Sequence, residues 1–266
     1  MINVVIFSKD RACQLDALLR SLYEHLKIDY DVVVLFDYSN KEYSLGYEKI
    51  MTRYPNISFV KETNFYEDTL RISLDEKYVS FLWLVDDCIM KNDFTYDSIL
   101  RRFLEDDTVG VYNLRLTPTV TRMTDWPDDV ERPFPEFGSD NTWEWRTAVD
   151  TDWSYPMTMD GHMYKTKDMI PYLRNRLFGP PPSMDSIMHS KPLDRPLMIC
   201  NTQQKILGIV PNRVQTGSPN RHGDVSTKEM NDLWLSGKQI DLDHLYELNE
   251  TCGKYHYISI KFEERI

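Results

Sequence analysis

"FLWLVDDCIM" (residues 81–90) runs a set of aromatic and aliphatic side chains straight into two adjacent aspartates. An ionised carboxylate taken into a protein interior is costly unless it is paired, bound to a metal or kept at the end of an element. Asp86 and Asp87 therefore mark one of two things. Either a strand ends in a solvated turn, or a strand carries two carboxylates to the edge of a sheet, where they can hold a cation.

The flanking sequence bears on the choice. "NVVIFS" (3–8), "DVVVLFD" (31–37), "ISFVKE" (57–62) and "YVSFLWLVDD" (78–87) are short apolar runs with β-branched residues, the pattern of strands buried on both faces. Between them, "KDRACQLDALLRSLYEHL" sets Leu15, Leu18, Leu19, Leu22, Tyr23 and Leu26 on one helical stripe. "SNKEYSLGYEKIMTRYP" supplies a turn and a second helix, and residues 66–76 a third. Strands alternating with helices predict a parallel α/β sheet, and such sheets bind ligands beyond the carboxyl ends of their strands. That edge is predicted to carry residues 8–11, 37–40, 62–64 and 86–87, all polar clusters after apolar runs.

The second half is less regular. A helix is predicted over 94–104 and a strand over 109–116. Residues 117–145, rich in Pro, Asp and Trp, read as an excursion holding a substrate-facing loop or a small hairpin. "MDGHMYKTKDMIPYLRNRL" resumes with a strand and a helix, and residues 180–182 (three prolines) introduce a short helix at "SMDSIMH". "STKEMNDLWLSGK" reads as a helix capped by Ser226, with Glu229 three residues on. Without repeats or a linker, the expectation is a single domain over 1–266, divided into a 1–115 half and a 116–266 half.

At 266 residues, 41% hydrophobic and 12% aromatic, the chain can bury a sizeable core, and global disorder is not expected. A formal net charge of -11 argues against a nucleic-acid partner held by a general basic field. Cys13, Cys88, Cys200 and Cys252 show neither CxxC nor zinc spacing and read as reduced thiols. The first residues enter a strand-like run without the apolar segment of a signal peptide. No stretch reaches the roughly 18–20 apolar residues that span a bilayer. The expected location is cytoplasmic, with any membrane contact peripheral.

The N-terminal half resembles the GT-A glycosyltransferases of family 2 type, which use nucleotide sugars. "VVIFSKDRACQLDALLRSL" resembles their opening strand and helix, "LFDYSN" their second-strand DD-x-S segment, and "LVDDCI" stands where they carry a DxD-type metal motif. The resemblance extends over roughly residues 1–115 and implies an α/β GT-A fold: a Rossmann-like, mainly parallel central sheet flanked by helices, with an irregular acceptor-binding half. It implies Mn²⁺ or Mg²⁺ held by Asp87, with Asp86 on the ribose or sugar and Asp37 on the base. Hard cations of this kind take carboxylate oxygens, water and phosphates. The D-D-C order departs from D-x-D, so the division of labour between the aspartates stays open.

The remaining expectations follow from the same resemblance. Ser8, Lys9, Arg11, Asn64 and Arg213 belong to the nucleotide side, Lys9 and Arg11 as counter-charges to the diphosphate. In inverting members a carboxylate deprotonates the acceptor hydroxyl; Asp185 in "GPPPSMDSIMH" is the expected base, although a carboxylate near a helix N-terminus also has a purely dipolar explanation. Asp160 and His162 in "TMDGHMY" and Trp145 are expected to contact sugar or acceptor, and Trp143 and Trp153 offer further rings that can stack on sugar faces, with core packing the alternative for His162 and for each tryptophan. The donor-rich segment 208–224 offers Asn212, Arg213, Gln215, Arg221 and His222, the last as a further metal ligand. The expected partners are a UDP-, GDP- or dTDP-sugar donor and a glycan acceptor. A sugar-phosphate nucleotidyltransferase is the weaker alternative, since "FSKDRACQ" lacks the glycines of a phosphate loop. A non-catalytic sugar- or nucleotide-binding module is the other.

Overall fold

The computed structural model describes residues 1–148, 152–215 and 220–265. The first apolar runs form β1 (Ile2–Lys9), β2 (Tyr30–Asp37), β3 (Ser58–Lys61) and β4 (Ser80–Val85). They are joined by helices α1 (Ala12–His25), α2 (Lys41–Arg53) and α3 (Phe65–Ser73). β1 lies between β2 and β4, parallel to both, so that Ile6 faces Val34 on one side and Leu84 on the other. Alternation along the strands divides the core in two. Val4, Ile6, Val34, Leu82 and Leu84 pack with Leu15, Leu18 and Leu22 of α1. Val5, Phe7, Leu35, Phe81 and Trp83 face the other way, towards Phe65 and Ile72 of α3.

Beyond β4 the chain forms β5 (Cys88–Met90), α4 (Ser98–Glu105), β6 (Val109–Asn113), β7 (Arg122–Thr124), β8 (Thr142–Glu144) and β9 (His162–Lys165). It continues through α5 (Thr166–Arg174), α6 (Pro181–Ser190), β10 (Leu197–Cys200), β11 (Ile206–Ile209), α7 (Thr227–Leu235), α8 (Leu242–Tyr246) and β12 (Cys252–Tyr255). The main sheet has 8 strands in the order β8-β10-β6-β9-β4-β1-β2-β3. All but β8 and β9 run in one direction. This is the mainly parallel, helix-flanked α/β sheet that the N-terminal periodicity predicts. A 4-stranded sheet, β5-β11-β12-β7, stands beside it.

Two local expectations change. The excursion over 117–145 contains no hairpin among its described strands: β7 pairs in parallel with β12, and β8 pairs antiparallel with β10. Its apolar content, Trp143 and Phe137 with Trp153, forms a mutually edge-on aromatic cluster. The helix predicted over 94–104 starts later, because Phe94–Thr95 pairs with Leu26–Lys27 and the Asp97 side chain caps the helix by accepting from Ile99 and Leu100 N–H.

The C-terminal segment closes onto the N-terminal layer. Ser226 caps α7 as predicted, accepting from Glu229 N–H at 3.0 Å. Trp234 Nε1 then donates to the Gly46 carbonyl of α2 at 3.1 Å. A side chain at Gly46 would sit 2.6 Å from Asn231 Oδ1 and 2.9 Å from the Ala12 Cβ, so only glycine allows α7 to approach α2 and α1 this closely.

Candidate active site at the carboxyl edge of the sheet

Asp86 N–H donates to the Phe7 carbonyl at 3.1 Å, which extends the β4 ladder by one residue and fixes Asp86 beside the end of β1. There the chain turns sharply: Asp10 has a left-handed φ of 56°, and its carboxylate accepts from Ser39 N–H at 2.7 Å and Ser39 Oγ at 2.6 Å. Aspartate tolerates this conformation better than most residues. Arg11, next in the chain, lies over the strand ends with its side chain 6% exposed.

Arg11 is the hub of this edge. Nη1 donates to Asp86 Oδ1 at 3.0 Å and to Asp87 Oδ2 at 2.9 Å. Nε donates to Asn212 Oδ1 at 2.9 Å and Nη2 to the Asn212 carbonyl at 2.5 Å. Gln14 Nε2 also donates to Asn212 Oδ1, at 3.0 Å. Asp86 Oδ2 accepts from Ser8 Oγ at 2.9 Å and Lys9 N–H at 3.1 Å, so Ser8 and Lys9 hold Asp86 in place. Burial pushes both carboxyls of the Asp86–Asp87 pair above the usual carboxylate range, and Arg11 offsets this only in part.

A second charged cluster adjoins the first. The chain enters β9 through Asp160, whose Oδ2 accepts from Arg115 Nη1 at 2.5 Å and Lys254 Nζ at 2.5 Å, and whose Oδ1 accepts from the Cys88 thiol at 3.1 Å. Burial works against the Asp160 anion, but Lys254 and Arg115 more than offset it and hold this carboxyl well below the usual range. Arg115 Nη2 reaches on to Asp152 Oδ2 at 2.7 Å. Asp185, in the first half of α6, accepts from Met159 N–H at 3.0 Å and Thr158 Oγ1 at 3.4 Å. Burial raises its pKa to about 6. The Asp160 charge raises the pKa of both Asp87 and Asp185, so the three carboxylates belong to one cluster.

The remaining sequence-predicted residues divide sharply. Asp37 ends β2 at this edge, bound by Lys9 at 2.9 Å and by Lys61. Partial burial pushes its pKa up, but the two ammonium groups prevail and lower it. Asn64 caps α3, accepting from Glu67 N–H at 3.2 Å. Arg213 Nη1 lies 3.4 Å from the Asn220 carbonyl. His162 is 1% exposed; its Nε2 lies 2.7 Å from Asn113 Nδ2 and its Nδ1 3.4 Å from the Tyr164 hydroxyl, so its ring is packed against both. Burial lowers its pKa to about 3. Trp145 is not brought to the site. It follows β8, whose Glu144 pairs with Leu197 at the opposite end of the sheet, and its Nε1 donates to the Arg195 carbonyl at 2.8 Å. Trp143 and Trp153 are core residues, 1% and 0% exposed.

Among the described residues, no group of three or more His, Cys, Asp or Glu side chains is arranged to hold a metal ion. The donor chemistry nevertheless fits a hard cation shared with a ligand. Asp87 gives Oδ2 to Arg11, and no hydrogen bond from a described residue reaches its Oδ1. One carboxylate oxygen completed by water and diphosphate is how Mg²⁺-type cations are commonly held. His222 Nδ1 lies 2.6 Å from the Gly223 carbonyl, which can only accept, so Nδ1 carries the proton and a neutral ring keeps the Nε2 lone pair for a ligand. Gly223 N–H donates to Val210, and Ile209 N–H to the Asp87 carbonyl, both at 2.8 Å, so the His222 segment adjoins the Asp87 backbone.

Arg115, Lys254 and Asp152 escape a sequence reading. "YNLRLT" and "CGKYHY" look like ordinary strand ends; Lys254 reaches Asp160 because β12 pairs with β11 (Lys254 opposite Gly208) and β11 with β5 (Gly208 opposite Cys88, whose thiol donates to Asp160).

With this geometry established, comparison with known proteins shows what the chain is similar to. No family model matches the chain. It is 25% identical over 186 residues to the bifunctional glycosyltransferase pgtA of Dictyostelium discoideum, an alignment covering 63% of this chain. The aligned segment is 24% of that relative's length, so the chain spans about a quarter of it. Among solved structures, S. aureus TarS in complex with UDP is similar at 16% identity, TM-score 0.49, over 77% of this chain and 59% of that one. The mannosyltransferase PcManGT from Pyrobaculum calidifontis, in complex with GDP-Man and Mn²⁺, is similar at 15% identity, TM-score 0.33, over 44% of this chain and 36% of that one. The likeness to glycosyltransferases read in the sequence is borne out by the pgtA relative, and the mainly parallel, helix-flanked sheet is the fold which that likeness implies.

Proposed function

We propose that this chain is a metal-dependent glycosyltransferase, moving a sugar from a nucleoside diphosphate to a hydroxyl of a carbohydrate acceptor with inversion. The observation that carries the proposal is the cluster of carboxylates formed by the sheet edge and α6. Asp87 has an oxygen to offer a cation, Asp160 is neutralised by Lys254 and Arg115, and Asp185 has a pKa of about 6. Donor and acceptor would meet at that cluster.

Asp87 would hold Mn²⁺ or Mg²⁺, with His222 as a further ligand, and Arg11 would keep the Asp86–Asp87 pair oriented. When bound, the cation would neutralise charge on the departing diphosphate. Asp86 would accept from the ribose or sugar, Asp37 would face the base, and Lys9 and Arg213 would flank the phosphates. Asp160, fixed as an anion, would bind the transferred sugar. Asp185 would take the acceptor hydroxyl proton as that oxygen attacks the anomeric carbon, while the bond from that carbon to the diphosphate oxygen breaks and its electron pair leaves with the nucleoside diphosphate. A base whose pKa lies near working pH is deprotonated yet still basic enough for this step.

The main sheet takes strands from both 1–115 and 116–266, which supports one catalytic unit over the chain. No helix among the described residues is long and apolar enough to cross a membrane. Cys13, Cys88, Cys200 and Cys252 are buried free thiols, which supports a cytoplasmic location. The deciding experiment is a panel of UDP-, GDP- and dTDP-sugars with Mn²⁺, scored by hydrolysis and thermal stabilisation. Silence across the panel in both assays would sink the transferase reading.

A further inference from the structure

A cleft of about 640 Å³ opens between residues 123–132, Asp152, Ser154, Tyr155, Arg221 and His189 of α6. One wall is aromatic. Tyr155 stacks on His189 with ring centroids 4.3 Å apart and planes inclined by 12°, and its hydroxyl lies 3.3 Å from the Asp185 carbonyl. His189 is four residues after Asp185 on α6, hence on the same face and about 6 Å along the axis. The stack is therefore one helical turn from the proposed base. Its position is fixed from behind: Trp153 is 0% exposed, and its carbonyl accepts from Trp143 Nε1 at 2.9 Å.

The polar walls have a definite charge logic. Arg221 forks onto Asp128 at 2.6 and 2.8 Å, and Arg132 lies 3.4 Å from Asp129. Both cations lining the cleft thus have carboxylate partners in the cleft itself. Asp152 differs: it is 36% exposed and gives Oδ2 to Arg115, while no hydrogen bond from a described residue reaches Oδ1. Through Arg115 it is tied to Asp160. The cleft presents an aromatic wall, a carboxylate oxygen that can accept from hydroxyls, and no cation among its described lining residues without a carboxylate partner. A phosphate entering it would have to break the Arg221–Asp128 fork and would face the carboxylates of Asp128, Asp129 and Asp152.

We infer that this cleft is the acceptor site and that it selects a neutral saccharide over a phosphorylated one, with the Tyr155–His189 stack against the apolar face of the sugar ring and Asp152 accepting from its hydroxyls. The inference rests on the transferase reading but concerns acceptor binding, which can be read without turnover.

The test is saturation-transfer NMR on the whole chain with lactose, maltose and cellobiose, each beside its phosphorylated counterpart. At least one neutral disaccharide should bind, and its phosphorylated form should bind about ten-fold more weakly, the loss of one hydroxyl contact plus like-charge repulsion. His189→Ala, an exposed site that does not threaten folding, should weaken saccharide binding about five-fold. Tyr155→Phe keeps the ring and should retain binding, whereas Tyr155→Ala should not. Binding of the phosphorylated sugars as tight as that of the neutral ones, an undiminished His189→Ala, or no saccharide bound at all would each overturn the inference. A failure of the transferase reading would instead appear on the donor side, as no response to any nucleotide sugar.

Discussion

Arg11 and Asn212 lie 201 positions apart and are joined twice, Arg11 Nε to the Asn212 side chain at 2.9 Å and Nη2 to its carbonyl at 2.5 Å. These bonds fix the plane of the guanidinium and leave Nη1 for Asp86 and Asp87. A planar fork can serve both purposes at once, which an ammonium cannot. The end of β1 and the segment after β11 are thereby locked together through the same residue that neutralises the two carboxylates.

Removing that residue leaves two buried carboxylates without their counter-charge. Arg11→Met is expected to cost about 3–5 kcal/mol of stability, the range for breaking a buried ion pair from one side. Asn212→Ala should cost less, about 1–3 kcal/mol, since it removes hydrogen bonds but keeps the charge balance. Urea midpoints with an unchanged m-value would measure both. An Arg11→Met protein as stable as its parent would mean that Asp86 and Asp87 do not need the arginine.

Asp87 and chelation should converge. If Asp87 Oδ1 is the protein's oxygen on the cation, EDTA abolishes transfer and Mn²⁺ restores it. Asp87→Ala should abolish transfer at any Mn²⁺ concentration and remove the Mn²⁺-dependent part of the thermal stabilisation by nucleotide sugar. The parent's insensitivity to EDTA, with nucleotide binding intact, would point to Arg11 alone as the charge partner of the motif.

For Asp185 the sign of the pH effect follows from the direction of its shift. Its pKa of about 6 lies above that of an unfolded aspartate, near 3.9, so the native state binds the proton more tightly. Its contribution to stability should therefore fall as pH rises from about 4 to about 6 and stay low above that. Asp185→Asn removes the penalty and should raise the melting temperature at neutral pH. As a base it must be deprotonated, so transfer by the parent should decline below about pH 6. Asp185→Asn should remove most of the turnover and leave donor affinity intact. Full turnover in Asp185→Asn would move the base elsewhere, with Asp160 next in line.

How much of this is legible in the sequence depends on how local the cause is. The first four strands of the main sheet and α1–α3 are written in hydrophobic period, and the polar residues after each strand locate the edge where Asp37, Asp86 and Asp87 gather. Helix starts set by one side chain, such as Ser226, are equally readable. The second half is not, because its strands find distant partners: β7 with β12, β8 with β10, β9 with β4 and β6. Lys254 becomes the partner of Asp160 through the pairing of β12 with β11 and of β11 with β5, and Trp145 is carried to the far end of the sheet by the antiparallel run of β8. Three tryptophans close in sequence suggest a sugar platform, yet Trp143 and Trp153 fill the core that supports the cleft.

His162 gives the sharpest separation between a residue that looks functional and one that holds the site up. It is enclosed beside Asn113 and Tyr164, and burial lowers its pKa to about 3, so it stays neutral throughout the working range. His162→Ala should leave a cavity and an unpaired Asn113 side chain, a loss of about 2–4 kcal/mol. Donor and acceptor affinities, measured at a temperature where the variant remains folded, should stay close to those of the parent. His162→Gln offers an amide to Asn113 and should recover part of the stability. A His162→Ala protein with parental stability and a large rise in acceptor KM would show that the imidazole contacts the sugar after all.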